Sequence, residues 1–150
     1  MRNITKLAIV GLALGGMTSV NAQDKIDFEK EIYPMVKKSC VKCHLPEHED
    51  ERGRKRKPKG GHVMTTKVGL MESEGEEGEK FIVPGDSKKS RILQVTLLPI
   101  DDEMHFPPEG KADQWTKTQQ ALFAKWVDAG ADFGSWTEDK NAIADIAAKK

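Results

Sequence analysis

Cys40-Val41-Lys42-Cys43-His44 (CVKCH) is the stretch on which the reading of this 150-residue chain turns. Two cysteines separated by two residues, with a histidine directly after the second, form the attachment signature of c-type haem. The spacing has a chemical reason. Each sulfur adds to one vinyl group of the porphyrin, and the adjacent His44 then reaches the iron from one face. Covalent links also hold a cofactor when a small domain opens. Three other uses of these residues stay open. A redox Cys-x-x-Cys centre belongs with a βαβ unit, and no such pattern surrounds Cys40. A zinc site would take Cys40, Cys43, His44 and His48, but histidine directly after Cys43 is poor zinc geometry and there is no second cysteine pair. The third use is a plain structural disulfide.

Upstream of the motif, Phe28, Ile32, Met35 and Val36 recur at helical spacing, with Asp27 as N-cap and Pro34 expected to kink the helix. Downstream the chain is polar. Arg52 to Lys59 (RGRKRKPK) and Glu72 to Glu79 (ESEGEEGE) are charge runs that read as loops. The basic run reads mainly as solvated surface, with docking to an acidic redox partner or an anionic surface as its functional alternative. Pro84-Gly85-Asp86-Ser87 leads into a helix carrying Ile92, Leu93 and Val95, capped by Asp86 or Ser87. Leu98 to Lys111 is a proline-bearing loop. A helix from Thr116 or Thr118 buries Leu122, Phe123, Trp126 and Val127 and stops at Gly130. A short terminal helix with Ile143 and Ile146 is expected after Asn141. No strand-like alternation of useful length appears, so the expected class is all-α.

The N-terminus has its own pattern. Arg2 and Lys6 precede the apolar run Leu7 to Met17, and Val20-Asn21-Ala22 places small residues at a cleavage site. Residues 1–22 therefore read as a secretory signal peptide. The eleven-residue apolar run is short of the roughly 20 residues that span a bilayer. No cysteine near the cut suggests a lipid anchor, and no later segment is apolar enough to be transmembrane. Removal of the leader takes Arg2 and Lys6 with it and leaves 22 basic and 24 acidic residues, net −2. The expected location is a bacterial periplasm, an oxidising compartment. Balanced charge also argues against a nucleic-acid-binding domain, which would be basic overall.

Five segments then carry a family resemblance: FEKEIYPMVKKSCVKCH, KGGHVM, FIVPGDSKKSRIL, FPPEGK and ALFAKWVDAGADF follow one another in order between residues 26 and 133. This set resembles the planctomycete-type cytochrome c domain. The resemblance implies a cytochrome c-like helical fold around one covalent haem c. It makes Cys40 and Cys43 the thioether anchors and His44 the proximal iron ligand. The cytochrome c-like domain is expected over residues 23–135, with 136–150 as a tail or short helix.

The chain departs from that family at the sixth iron ligand. The family has Met-Pro-Pro, whereas this chain reads Met104-His105-Phe106-Pro107-Pro108, and phenylalanine cannot ligate iron. Met104 is the first candidate for the distal ligand and His105 the alternative, with an open site as the third outcome. A thioether raises the potential and a second imidazole lowers it relative to methionine. Met64, Met71, His62 and His48 stand outside this choice, although His62 beside Gly60-Gly61 could touch a haem edge. The expected function is a periplasmic mono-haem electron carrier, with periplasmic or membrane-bound redox proteins as partners. The alternative is a haem-based small-ligand binding or sensor module, with weak peroxidase activity as its variant. Nothing in the chain suggests a substrate-converting enzyme: there is no Ser-His-Asp arrangement, phosphate-binding glycine loop or paired-carboxylate site.

Overall fold

Asp27 starts the first helix, its carboxylate accepting the Lys30 amide proton. The computed structural model describes residues 25–148, so the expected leader at 1–22 lies outside the described residues. Helix α1 covers residues 28–41 and meets Pro34 by widening. The Tyr33 amide bonds to the Phe28 carbonyl, five residues back. Wide turns over Phe28–Ile32 and Lys37–Val41 flank an ordinary turn at Tyr33–Val36. Pro34 sits at the start of that ordinary turn, where its missing donor costs least.

After α1 comes a small antiparallel hairpin, β1 (His48–Glu49) paired with β2 (Lys55–Arg56). The basic run is therefore ordered rather than a free loop. Asp50 explains this: it accepts from Arg54 and Arg56 side chains at 2.9 and 2.8 Å and from the amides of Arg52 and Arg54. Helix α2 (Lys67–Glu72) was not anticipated from the sequence. Thr66 caps it through the Gly69 amide, and Gly69 is required because a Cβ there would lie 2.0 Å from the Val63 carbonyl oxygen.

Asp86 caps a single tight turn, Ser87–Lys89, and α3 (Arg91–Leu97) begins only after it. Helix α4 (Lys117–Asp128) starts at Thr116 with a reciprocal capping box to Gln119. It buries Phe123, Trp126 and Val127 as expected and leaves Leu122 half-buried at the core edge. Helix α5 (Ala142–Ala147) buries Ala142 rather than Ile143, which is exposed. The fold is mostly α, with one two-stranded sheet. No helix among the described residues is long and apolar enough to cross a membrane.

The core is aromatic. Phe28 lies 4.4 Å from Phe133, 4.7 Å from Trp136 and 5.0 Å from Trp126 between ring centroids, and Tyr33 lies 4.7 Å from Trp136. Trp136 and Ala142, beyond residue 135, are buried in the same core. The C-terminal segment is also held by backbone. The Lys67 amide donates to Thr137 and the Asp139 amide to Thr65, each at 2.8 Å.

A charged clamp completes the attachment. Lys37 Nζ stands 2.6 Å from both Asp139 and Asp145, and the Tyr33 hydroxyl donates to Asp139 at 2.9 Å. Burial pushes the Asp139 carboxyl up, but the hydrogen bonds from Lys37 and Tyr33 outweigh burial and hold it below its ordinary 3.8. Burial likewise disfavours the Lys37 charge, and the two carboxylates outweigh that and hold it above 10.5. The Asp139 contribution is thus fully present above pH 3.8 and lost as pH falls through the lowered folded value. The Lys37 contribution is fully present below pH 10.5 and lost as pH rises through the raised folded value. Asp139→Asn should therefore be less stable than the parent at neutral pH. In urea titrations the gap should close as pH falls below 3.8, and a gap independent of pH would remove the clamp from this account. Trp136→Ala should cost about 3–5 kcal/mol in the same titration, and a loss under about 1 kcal/mol would place Trp136 outside the core.

Candidate functional site

The motif forms a turn that continues α1. The Cys43 amide donates to the Cys40 carbonyl at 3.1 Å and the His44 amide to the Val41 carbonyl at 3.0 Å. Val41 and Leu45 are buried, which anchors the turn from below and leaves Cys40, Cys43 and His44 half-buried at its rim. A second segment walls this rim. The Lys59 amide donates to the Cys43 carbonyl and the Met64 amide to the His44 carbonyl, both at 2.9 Å. Between them Gly60 and Gly61 adopt φ of 61° and 78°, a left-handed turn that brings His62 back over the motif.

That turn sets the chemistry of His44. Its Nδ1 donates to the His62 carbonyl oxygen at 3.0 Å. A carbonyl can only accept, so Nδ1 carries the proton and Nε2 keeps its lone pair. Burial pushes the imidazole down; hydrogen bonding to the His62 carbonyl and, less, to the Lys59 backbone works against that, and the charges of His62 and Lys59 add to the lowering. The net value lies below 6.5, which favours the neutral ring. Sequence reading did not find the His62 carbonyl. Its signal was the Gly60-Gly61 pair, which permits the return of the chain.

Both thiols are free, and burial, followed by the neighbouring Cys43, pushes the Cys40 thiol up to about 12. A reactive Cys-x-x-Cys redox centre needs a lowered thiol and a βαβ frame, and Cys40 has neither. A preformed zinc shell is not present either: no three His, Cys, Asp or Glu side chains are gathered for a metal among the described residues.

The distal candidates sit on the loop from Leu98 to Lys111, and its C-terminal side is tied to α1. Ser39 Oγ donates to the Asp113 carbonyl at 2.6 Å, Lys38 pairs with Asp113 at 2.6 Å, and Trp115 Nε1 donates to the Met35 carbonyl at 3.4 Å. These ties connect the loop to the three turns of helix that deliver Cys40. Met104 is 45% exposed. Phe106, Ile100 and Leu97 are exposed as well, so the loop and the end of α3 present apolar surface. His105 is buried, with both ring nitrogens hydrogen-bonded. His62 packs its ring 4.6 Å from Phe81, and His48 bonds its own turn through the Pro46 carbonyl. Two surface clefts lie elsewhere, one lined by Met35, Ser39, Asp113 and Gln114 and the other by Ile26, Ala121, Trp126 and Asp132; neither is lined by Cys40, Cys43 or His44.

The residue types are those a covalently attached haem would need: two free thiols at that spacing, an imidazole whose Nδ1 is held as donor, and a thioether on the 98–111 loop. Comparison with family models, with curated proteins and with solved structures finds no match.

The Gly60 turn is testable. A Cβ on Gly60 would meet the His62 ring at 2.8 Å, whereas one on Gly53, at a similar φ of 69°, meets nothing. Gly53→Ala should cost about 1 kcal/mol from backbone strain alone, and Gly60→Ala more, within about 1–3 kcal/mol. Urea midpoints measure both. Equal losses would mean the His62 ring yields freely and the turn does not constrain it.

Proposed function

We propose that the chain is an exported c-type cytochrome with a cytochrome c-like fold and one covalent haem, which carries electrons between periplasmic or membrane-bound redox proteins. The observation that carries this reading is the His44 Nδ1 hydrogen bond to the His62 carbonyl within an intact CVKCH turn. It holds the imidazole in the tautomer that an axial ligand needs. Bound haem would supply the ferric–ferrous couple. Cys40 and Cys43 would hold the group by thioether bonds, and His44 would ligate its iron. Met104 offers the thioether of a sixth ligand, and the exposed apolar side chains of Leu97, Ile100 and Phe106 offer surface that excludes water. None of these residues makes or breaks bonds in a substrate, so the proposal is a carrier and not an enzyme. The expected leader would export the chain to a compartment where haem c is attached.

The decisive experiment is the optical spectrum of the protein expressed through its own leader with haem c maturation machinery. A low-spin spectrum with the methionine–iron charge-transfer band is expected. Cys40→Ala combined with Cys43→Ala should abolish covalent haem on a denaturing gel, and Met104→Ala should remove the band and make the iron reactive to added ligands. A high-spin parent spectrum would favour the small-ligand sensor reading instead. Absence of covalent haem in the parent would sink the proposal and leave Cys40 and Cys43 as a disulfide or metal pair.

A further inference from the structure

His105 is buried in the middle of an exposed stretch. Residues 101–104 and Phe106 are exposed, while His105 itself is 7% exposed. Both of its ring nitrogens have partners. Nδ1 lies 2.9 Å from the Leu98 carbonyl oxygen and Nε2 lies 2.6 Å from Gln114 Oε1. The Gln114 amide is oriented by its other end, since its Nε2 donates to the Pro107 carbonyl at 2.7 Å. The chain of bonds therefore runs from Leu98 through the His105 ring to Gln114 and back to Pro107. It joins the two ends of the 98–114 segment across its middle.

The backbone around His105 reinforces this. Asp102 accepts the Met104 amide with its carboxylate, at 2.8 Å, and the His105 amide with its carbonyl, at 2.9 Å. The Phe106 amide returns to the Val95 carbonyl of α3 at 3.2 Å. Side chains then alternate: Met104 out, His105 in, Phe106 out, Pro107 in. A half-turn that brought His105 outward to ligate iron would carry Met104 inward. It would also take the ring away from the Leu98 carbonyl and Gln114 Oε1; both are acceptors and a neutral imidazole has one N–H, so at least one part-buried acceptor would lose its donor.

We propose that His105 is a positioning residue rather than an iron ligand: with Gln114 it latches the 98–114 segment and holds Met104 on its exposed side. The proposal rests on the reading of Met104 as distal ligand for the part that concerns iron, and on the hydrogen bonds alone for the part that concerns the loop. The two parts have separate readouts.

Amide hydrogen exchange on the expressed protein reads the latch. His105→Ala and Gln114→Leu should each speed exchange across 98–114 by about tenfold or more while α4 keeps its protection. Gln114→Glu keeps the acceptor for His105 and should retain more of the protection than Gln114→Leu. In the same haem-loaded samples, both His105→Ala and Gln114→Leu should weaken the methionine–iron band, which Met104→Ala abolishes. Unchanged exchange in both loop variants overturns the latch. Loss of protection in α4 as well would make His105 a general core residue and overturns it too. If His105→Ala turns the iron high-spin while Gln114→Leu leaves the spectrum intact, His105 is a ligand and the proposal fails. If the parent holds no covalent haem, the cytochrome reading fails, and the exchange data still decide whether His105 latches the loop.

Discussion

The hydrogen bond from His44 Nδ1 to the His62 carbonyl is the constraint on which the site depends. A free imidazole exchanges its proton between two nitrogens and rotates about two bonds. Here one backbone oxygen removes the tautomeric choice and narrows the rotation. The oxygen is in place only because Gly60 and Gly61 take left-handed conformations, and because Lys59 and Met64 pin both ends of their segment to the carbonyls of Cys43 and His44. The motif supplies the imidazole, and a segment some fifteen residues later orients it.

The last turns of α1 tie this site to everything else. Met35 accepts from Trp115, Lys37 clamps Asp139 and Asp145, Lys38 and Ser39 hold Asp113, and Cys40 follows at once. Successive residues of a helix point around its axis, so one short stretch reaches the C-terminal segment on one side and the distal loop on another. The opposite end of α1 inserts Phe28 among Trp126, Phe133 and Trp136. A displacement of α1 would therefore move the attachment turn and the loop bearing Met104 together. Such coupling keeps the CVKCH turn and the Met104 loop in register through the helix they share.

What was legible in the sequence follows the range of the forces involved. Local signals read well: the Asp27 cap, a helix start at Thr116 (one of two candidate threonines) and the apolar stripe of α4 all depend on residues within about one turn. Helix α2 was missed because it is six residues long and its cap, Thr66, precedes no clear stripe; its position is set by Gly69 approaching the Val63 carbonyl and by pairing with Thr137. The cap expected to start α3 instead closes a separate turn, since the Asp86 carboxylate bonds the Lys89 amide before the helix begins. At the site, Cys40, Cys43 and His44 were visible as residue types at fixed spacing. The His62 carbonyl and the Gln114 bridge to His105 were not, because backbone oxygens and long-range partners leave no mark on composition.

The basic run shows how a charge pattern can serve geometry. Read along the chain, Arg52 to Lys59 is a block of like charge that should repel itself and stay open. The acids that precede it change the outcome. Asp50 takes Arg54 and Arg56 together and, with the amides of Arg52 and Arg54, forms the tip of the hairpin. The Arg54 guanidinium, helped by those amides and Arg56 against the opposing effect of burial, holds the Asp50 carboxyl far below its usual range, so it stays ionised. Across the strands Glu49 stands opposite Lys55, a pairing of opposite charges that favours the hairpin. The hairpin delivers its second strand to Pro58 and Lys59, and the Lys59 amide lands on the Cys43 carbonyl. A segment whose one apolar side chain between Glu47 and Lys59 is Pro58 thus places the turn that carries the His62 oxygen. Charge pairing, rather than burial, connects this hairpin to the orientation of His44.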